Sequence, residues 1–529
     1  MTKLNMKSTM SFRDQHLPEL KTTPFIPDKK LREIVTAETV CAELKKSNYS
    51  NLRRIHARPV TVEDGGEYQK ILAILYLIKL PSKIRKFVKY GVCDKDLPLV
   101  ACENSKDASS PKLRSGHDCT AHPIRFKRKE YIQDFLDTQW EVLAPIFPWT
   151  GGDHIWHRRL MPETIIPFIS HDRTAQGGYS KVLKTKIYPT HHQFGNGNIF
   201  AVKVLKECDQ EAFKQEAVIL GRFSNPLHSH KHLITLLATF EHKEMFHFIF
   251  PWAEADLLTF WKKRRDPPNS EKMETWIIEQ CYGLAEALNT INRYETMSGT
   301  TLIDHVSKQV EGNGEQRTIQ IEISSTDHPL RNLFGRHGDL KPENILWFPC
   351  PESPGGHGIL KITDFGAARF NTVNIWDTRK TGRIPNSAVY SSPEIDLDGR
   401  LTTACDVWAL GCVYLQFISW FCGGNSRLED FGRRRLADDY KLANVPNGTF
   451  FSLVQEGELM KAIVKPAVVD EDMLVVYQQE ASGCQESITP GIERVSESIP
   501  PNGSDTVVNR RKSCGNIWRR IGDIKATGD

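Results

Sequence analysis

The sequence predicts an α+β protein built from more than one folded unit, and three observations lead there. Its 529 residues exceed the ~250–300 at which a single hydrophobic core stops growing. Apolar residues recur at helical spacing through the first 150 residues, and short β-rich runs begin only near Pro167. After Asp256 the pattern turns mainly helical again.

Composition narrows the class. The chain is 40% hydrophobic, 25% charged and 9% aromatic, the balance of a soluble globular protein. A net charge of +4 is too small to indicate nucleic acid, which selects for a basic face rather than a total. Twelve cysteines are scattered without a CxxC pair, so no zinc-ligand spacing is present and the thiols read as reduced, buried, small apolar residues. The N-terminus lacks the continuous apolar core of a secretory signal. These features predict an intracellular protein, cytoplasmic and/or nuclear. The apolar stretch from Cys405 to Cys422 is 18 residues long with Asp406 inside it, and it reads as a buried core helix rather than a membrane span.

Taken in order, Leu31–Lys45 and Tyr68–Val88 are expected to be helices, the second with its stripe of Ile71, Leu72, Leu75 and Ile78. The polar run around 105–120 reads as a loop, and helical pattern returns at Tyr131–Leu143. No catalytic constellation lies here, so the region reads as a helical packing or interaction module. Strands are expected at Lys181–Tyr188, Ile199–Leu205 and His247–Phe250, with a helix at Asp209–Phe223. Thr296–Arg331 is polar and interrupted by Gly, Ser, Thr and Asp, which marks an inserted loop. From about residue 485, Ser, Pro, Gly and Asn dominate and a flexible tail is expected.

Three strings carry chemistry. Ala175-Gln176-Gly177-Gly178-Tyr179-Ser180-Lys181-Val182 places glycines in a turn between strands, where backbone N–H groups can approach phosphate oxygens. An ordinary hairpin turn accounts for it equally well. Ala201-Val202-Lys203-Val204 puts a lysine on an apolar strand, which needs a charge partner. Glu216 lies 13 residues on and can supply it, the plainer reading being an edge lysine and a surface glutamate. The third string is far more specific: His337-Gly338-Asp339-Leu340-Lys341-Pro342-Glu343-Asn344, followed 20 residues after Asn344 by Asp364-Phe365-Gly366. Phosphoryl transfer needs a carboxylate to orient the attacking hydroxyl, a cation for the γ-phosphate and oxygen ligands for magnesium. Asp339, Lys341, Asn344 and Asp364 supply them in that order.

In these strings the chain resembles the protein kinase superfamily, serine/threonine type, over about Pro167 to Ile488. Ser387-Ala388-Val389-Tyr390-Ser391-Ser392-Pro393-Glu394 and Asp406-Val407-Trp408-Ala409-Leu410-Gly411 agree with that family's later motifs. The resemblance implies a bilobal kinase domain over 167–488, with a β-rich N-lobe at 167–250, a helical C-lobe at 253–488 and the polar insert at about 296–331. A helical region, 1–150, would precede it and a flexible tail, 489–529, would follow. It implies ATP and Mg2+ as cofactors and protein substrates bearing serine or threonine hydroxyls. Gly177, Gly178, Ser180, Val182 and Ala201 would surround the nucleotide, with Lys203 on its phosphates and Glu216 holding Lys203. Phe250 and Trp252 would belong to the hinge that meets adenine. Asp339 would be the catalytic base with Lys341 and Asn344 beside it, and Asn344 and Asp364 would bind magnesium. The lysine at 341 is the serine/threonine pattern, and Ser387 would bond Asp339 and Lys341.

The N-terminal region is similar to the flank of filamentous-fungal kinase-like proteins, which implies no known activity for it. Its apolar stripes must be covered, so residues 1–150 are expected to dock within the chain or on a partner. Two departures matter. Gly338 stands where most members carry an arginine that reads a phosphate on the activation segment, so switching by that phosphate is not expected. Glu480 stands where an arginine usually pairs Glu394, and a buried carboxylate so deprived would cost ~3–5 kcal/mol unless one of Arg433–Arg435 compensates. The basic clusters Lys262–Arg265, Arg433–Arg435 and Arg510–Lys512 otherwise read as solvated charge. Two other functions share this fold core: a catalytically silent scaffold, and a small-molecule kinase of the aminoglycoside or choline type, in which the string HGDL also occurs.

Overall fold

The computed structural model describes residues 24–45, 67–101, 112–115, 124–152, 155–176, 180–195, 197–205, 210–296, 331–371, 376–377, 388–441, 446–457 and 459–470. The described residues form two compact units. The first holds those up to Phe213 together with Leu236–Pro251, and the second holds Lys214–Thr235 and those from Trp252 onward.

The first unit opens with helices α1 (Asp28–Ile34) and α2 (Ala37–Lys45), then α3 (Gln69–Leu77) and α4 (Ile84–Tyr90). Each expected long helix is thus split in two. Thr36 accepts the Thr39 N–H through its hydroxyl and starts α2 afresh. Lys79 sits at positive φ and Pro81 follows, so the second helix cannot run through. Strands β1 (Leu99–Ala101), β2 (Lys112–Ser115) and β3 (Ile124–Arg125) make a small antiparallel sheet, and α5 (Glu130–Thr138) closes the region. Part of the run read as a loop is therefore strand β2. Its one apolar residue, Leu113, is fully buried, too short a signal to stand out among polar neighbours. The stripe Ile71, Leu72 and Leu75 is fully buried and packs with Phe87, Leu99, Leu113 and Phe135 in one core. Asp94 accepts the N–H groups of Lys70 (2.8 Å) and Ile71 (2.9 Å) and so caps α3 from across a loop. Burial pushes that carboxyl up to about 6 against those two bonds.

The same unit contains a six-stranded sheet. Its strands are β4 (His157–Arg159), β5 (Phe168–Gln176), β6 (Ser180–Ile187), β7 (Ile199–Leu205), β8 (Ala238–His242) and β9 (Met245–Pro251), in spatial order 4-8-9-7-6-5. All neighbours are antiparallel except β4, which runs parallel to β8 with His157 opposite Thr239. The sheet thus takes in a strand that lies before Pro167. It is tied to the N-terminal helices by specific contacts. The Phe25 ring, fully buried, meets Tyr188 edge-on at 5.8 Å and His191 at 5.1 Å. The Asp28 N–H donates to His191 Nε2, and His191 Nδ1 donates to the Pro145 carbonyl at 2.9 Å. Phe147 packs on Trp156, Phe194 and Phe240.

Helix α6 (Gln210–Ser224) starts in the first unit, where Phe213 stacks on Phe246 at 4.2 Å, and continues into the second. The second unit then runs through β10 (Ala255–Asp256), α7 (Leu257–Lys263), α8 (Glu271–Asn292), β11 (Arg293–Thr296), β12 (Arg331–Arg336), β13 (Ile345–Phe348), β14 (Ile359–Ile362), β15 (Arg369–Asn371), β16 (Trp376–Asp377), α9 (Pro393–Asp398), β17 (Arg400–Leu401), α10 (Thr403–Lys441), β18 (Phe451–Glu456) and β19 (Leu459–Val464). β11 and β12 pair antiparallel with Thr296 opposite Arg331, so the inserted run leaves and re-enters the fold at one point. The insert and the tail beyond 470 lie outside the described residues.

The core of this unit is aromatic. Phe260 packs on Trp276, Trp347 and Trp420, each at 5.4–5.6 Å, and Phe417 meets Trp276 and Trp420. The apolar stretch Cys405–Cys422 lies in α10, and 67% of its most apolar window is buried. At the far end of α10, Asp439 accepts the N–H groups of Asn447 and Gly448 and lies 2.5 Å from Lys465, while Asp438 accepts that of Ala467. Arg435 is 5% exposed, with its guanidinium 3.9 Å from the centre of the Phe450 ring and 4.7 Å from that of Phe431. That member of the basic cluster is therefore core rather than solvated charge. Glu394 is exposed in the first turn of α9, where water hydrates it, so the cost foreseen for a buried, unpartnered carboxylate does not arise.

A chain beginning at Pro162 lacks Phe25, Phe147 and β4. It should melt at lower temperature and be less soluble than the full chain, and Phe25→Ala alone should cost ~3–5 kcal/mol. Equal melting temperature and solubility for the full and shortened chains would make the N-terminal region a passive appendage.

Candidate active site

Each unit holds its own set of the residues singled out in the sequence. In the first, β6, β7 and β9 lie side by side with Val182 opposite Lys203, Lys203 opposite Phe248, and Ala201 opposite Phe250. Strand alternation sends Val202 and Val204, both buried, into the core and puts Ala201 and Lys203 on the other face. Phe248, the neighbour of Lys203, packs at 5.1 Å on Phe213, so α6 begins over that same face. Ser180 opens β6, while Gly177 and Gly178 lie outside the described residues. The chain passes between units at Pro251–Trp252, within the expected hinge, so Phe250 belongs to the first unit and Trp252 to the second.

In the second unit the loop after β12 is organised by one buried carboxylate. Asp406, 2% exposed near the start of α10, accepts the His337 N–H at 2.6 Å through Oδ2 and the Gly338 N–H at 2.9 Å through Oδ1. Burial raises its pKa, while the charge of Arg336 and the two N–H groups pull the other way. Gly338 holds φ +83°, a conformation costly for any residue with a side chain. The His337 ring continues the arrangement. Its Nδ1 accepts the Asp339 N–H, which leaves Nε2 to donate to the Thr363 carbonyl at 3.0 Å.

Asp339, Lys341 and Asn344 are brought together. Lys341 Nζ donates to Asp339 Oδ2 at 2.7 Å, and Asn344 Nδ2 donates to the same oxygen at 3.0 Å and to the Asp339 carbonyl at 2.7 Å. The carboxylate is thus held through Oδ2. The Asn344 carbonyl accepts the Thr363 N–H at 3.0 Å, and the β13–β14 register sets Ile345 opposite Ile362. Those bonds place Asp364 beside Asn344 along the chain path.

Asp364 is exposed at φ 65°, ψ 77°, whereas Phe365 is fully buried. A non-glycine residue in that region stores ~1–3 kcal/mol of strain and is retained where its surroundings over-determine it. Here the fixing element is Phe365, whose ring lies 5.5 Å from Phe223 and 5.2 Å from His337. A methyl placed on Gly366 would sit 3.5 Å from Asp364 Oδ1 and 3.9 Å from Glu216 Oε2. Two carboxylates therefore converge on one glycine, and Glu216 is 5% exposed.

Sequence reasoning missed the support behind this loop. The Ile234 N–H donates to Ile362, the Ile362 N–H to His232, and His232 Nδ1 to Leu360 at 2.7 Å. Burial pushes His232 down to about 4, so at neutral pH it is an uncharged donor. Its other ring nitrogen presses on Gly283 of α8. The closely spaced His230 and His232 were visible in the sequence, but nothing there marked the approach to Gly283. Ser387 and Glu480 lie outside the described residues.

With this geometry in view, comparison with known proteins is direct. Residues 293–422 match the protein kinase domain. The chain is 23% identical over 263 residues to serine/threonine-protein kinase atg1 of Schizosaccharomyces pombe, covering 47% of this chain and 28% of that one. It is 30% identical over 154 residues to mitogen-activated protein kinase kinase kinase 20 of Arabidopsis thaliana, covering 27% and 42%. With serine/threonine-protein kinase PKH3 of Eremothecium gossypii the identity is 41% over 148 residues, covering 27% and 19%. The chain spans less than half the length of each of these relatives. Over that region the chain is similar to protein kinases of the serine/threonine type, and the described residues give a unit built on a mixed β-sheet with the mostly helical N-terminal region and a second, mainly helical unit.

Gly283→Ala tests the support behind the loop. The new methyl would stand 2.0 Å from His232 Nε2, and the ring is buried and bonded to Leu360. Thermal melting should show a loss of ~1–3 kcal/mol. Gly411→Ala in α10 meets nothing within 4 Å and should leave stability unchanged or raise it slightly.

Proposed function

We propose that this protein transfers the γ-phosphoryl group of ATP to serine and threonine hydroxyls of protein substrates. The observation that carries the reading is the Asp339 carboxylate, fixed through one oxygen by Lys341 and Asn344. The other oxygen then serves to accept the proton of an incoming hydroxyl, which positions the nucleophile for in-line attack. Lys341, 2.7 Å from Asp339, is placed to neutralise charge on the transferred group. Lys203 and Glu216 take the nucleotide-holding roles that the family resemblance gives them, with Val182, Ala201, Phe250 and Trp252 as the apolar surround.

Magnesium fits the remaining donors. Asn344 spends its amide N–H on Asp339, which leaves the amide oxygen, and Asp364 is an exposed carboxylate; both are the hard oxygen ligands that ion requires. Bound there with ATP, the ion would neutralise the phosphate charge. The strained Asp364 backbone and buried Phe365 favour a working enzyme over a silent scaffold, because that arrangement presents the carboxylate rather than hiding it. Lys341-Pro342-Glu343 and the Ser-Pro-Glu string favour protein over small-molecule substrates.

The purified 529-residue chain given labelled ATP, magnesium, generic protein substrates and amino-alcohol or aminoglycoside acceptors decides among the three. Label should appear on protein serine and threonine. Asp364→Asn should abolish transfer with the fold intact, and Asp339→Asn should lower it by at least ~100-fold. ATP binding without any transfer would identify a scaffold, and label on the small acceptors alone would identify a small-molecule kinase.

A further inference from the structure

The chain's net charge of +4 conceals how unevenly that charge is placed. The runs 81–90 and 124–129 together hold eight lysines and arginines and no acid, so the rest of the chain is net acidic. Remote in sequence, the two runs are laid side by side in the first unit. Phe87 of α4 and Phe126, just past β3, are both buried beside the Phe135 ring, at 5.6 and 6.5 Å. Lys86 Nζ donates to the Arg125 carbonyl at 2.9 Å and ties one run to the other. With Ile84 and Phe87 turned into the core, helical spacing sends Lys86 and Lys89 to the outer side, and Lys83 precedes them by one turn. In the second run Ile124 and Phe126 are buried, while Arg125, Lys127 and Arg128 are exposed. Two adjoining rows of cations result. They act on one another: burial first, and then the like charges of Lys83, Arg125, Lys127 and Lys89, lower the Lys86 pKa. Like charges held this close repel, and a bound polyanion removes that cost.

Each row ends in a tyrosine. Lys89 Nζ lies 5.6 Å from the centre of the Tyr90 ring, and the Arg128 guanidinium 6.0 Å from that of Tyr131. Tyr90 is 37% exposed, whereas no aliphatic side chain of either run is exposed. Glu130, which opens α5, is the acid next along the chain, and one carboxylate does not balance eight cations. That combination selects among polyanions. A face that binds membranes carries apolar side chains to enter the acyl boundary, and this one exposes none but a tyrosine. An acidic peptide offers isolated carboxylates and nothing flat for two rings to stack on. A single-stranded nucleic acid offers a continuous run of phosphates together with unpaired bases, which cations interleaved with aromatic rings receive. We propose that the face made by α4, the turn before it and the run 124–129 binds single-stranded nucleic acid. Lys83, Lys86, Lys89, Arg125 and Lys127 meet its phosphates, and Tyr90 and Tyr131 stack on its bases. This activity is separate from phosphoryl transfer, since none of these residues belongs to the candidate active site.

The test follows the fluorescence anisotropy of labelled oligo-dT and oligo-U, each about 16 nucleotides long, titrated with the 529-residue chain in about 50 to 200 mM salt. A duplex of the same length, polyglutamate and phosphatidylserine vesicles serve as competitors. Both single strands should bind, and the affinity should fall with salt by a log–log slope of about 0.7 for each phosphate contacted. The triple variant Lys83→Gln/Lys89→Gln/Lys127→Gln should bind at least about tenfold more weakly and reduce that slope by about 2. Lys262→Gln/Lys263→Gln/Arg265→Gln removes as much charge from exposed residues of the second unit and should leave binding within about twofold. Tyr90→Ala should weaken binding at least about fivefold with the salt slope unchanged, the mark of a lost stacking contact. All variants should keep the wild-type melting temperature; should the first triple melt early, Tyr90→Ala decides the matter through its slope. No binding to either single strand at the lowest salt, equal losses in the two triples, or tighter binding to duplex, polyglutamate or vesicles than to the single strands would each overturn the proposal.

Discussion

Much of the second unit depends on one buried carboxylate. Asp406 sits near the start of a helix whose next turns are among the most apolar in the chain, yet both of its oxygens are taken by backbone N–H groups of a loop 68 and 69 residues earlier. Such a group is costly in isolation and strongly directional once satisfied, because the low dielectric that penalises the charge also strengthens its bonds. The His337 and Gly338 backbone is pinned to α10 in consequence. From there His337 reaches Thr363, Phe365 packs on the His337 ring, and Asp339, Lys341 and Asn344 take up one mutual geometry.

The rest of the fold can be read as support for that loop. The Ile234–Ile362–His232 bonds and the press of His232 on Gly283 lock α8, β14 and the segment after α6 together. The aromatic layer of Phe260, Trp276, Phe417 and Trp420 sets how α7, α8 and α10 pack. In the first unit, the N-terminal helices and the six-stranded sheet meet through Phe25, Tyr188, His191 and Phe147, so residues far from any phosphate-handling group still bear on the sheet that carries Lys203.

Legibility from sequence followed the length and periodicity of the signal. β7 at Ile199–Leu205 and α6 at Gln210–Ser224 agree with their apolar patterns almost residue for residue. β2 and β4 did not announce themselves, since each is three or four residues of mostly polar character and β4 pairs with a strand far along the chain. The breaks inside the N-terminal helices were signalled by Thr36 and Pro81, but apolar periodicity ran past both. Charge was the least legible property. Arg435 and Glu394 carry full charges in polar-looking contexts, and only packing decides that the first is sandwiched between rings and the second is left to water.

By itself the sequence determined the chemistry available and the family it resembles: an aspartate, a lysine and an asparagine close together, and a second aspartate 20 residues after the asparagine. Motif spacing conveys this because the first three sit in one short turn and a single hairpin returns the chain to the fourth. Only the tertiary structure decided which oxygen of Asp339 is occupied, that Asp364 is presented while Phe365 is buried, and that Arg336 lies against Gly338. Those are matters of contact between segments remote along the chain. Burial sets the strength of each such contact, and burial is a property of the whole fold that no local stretch of residues encodes.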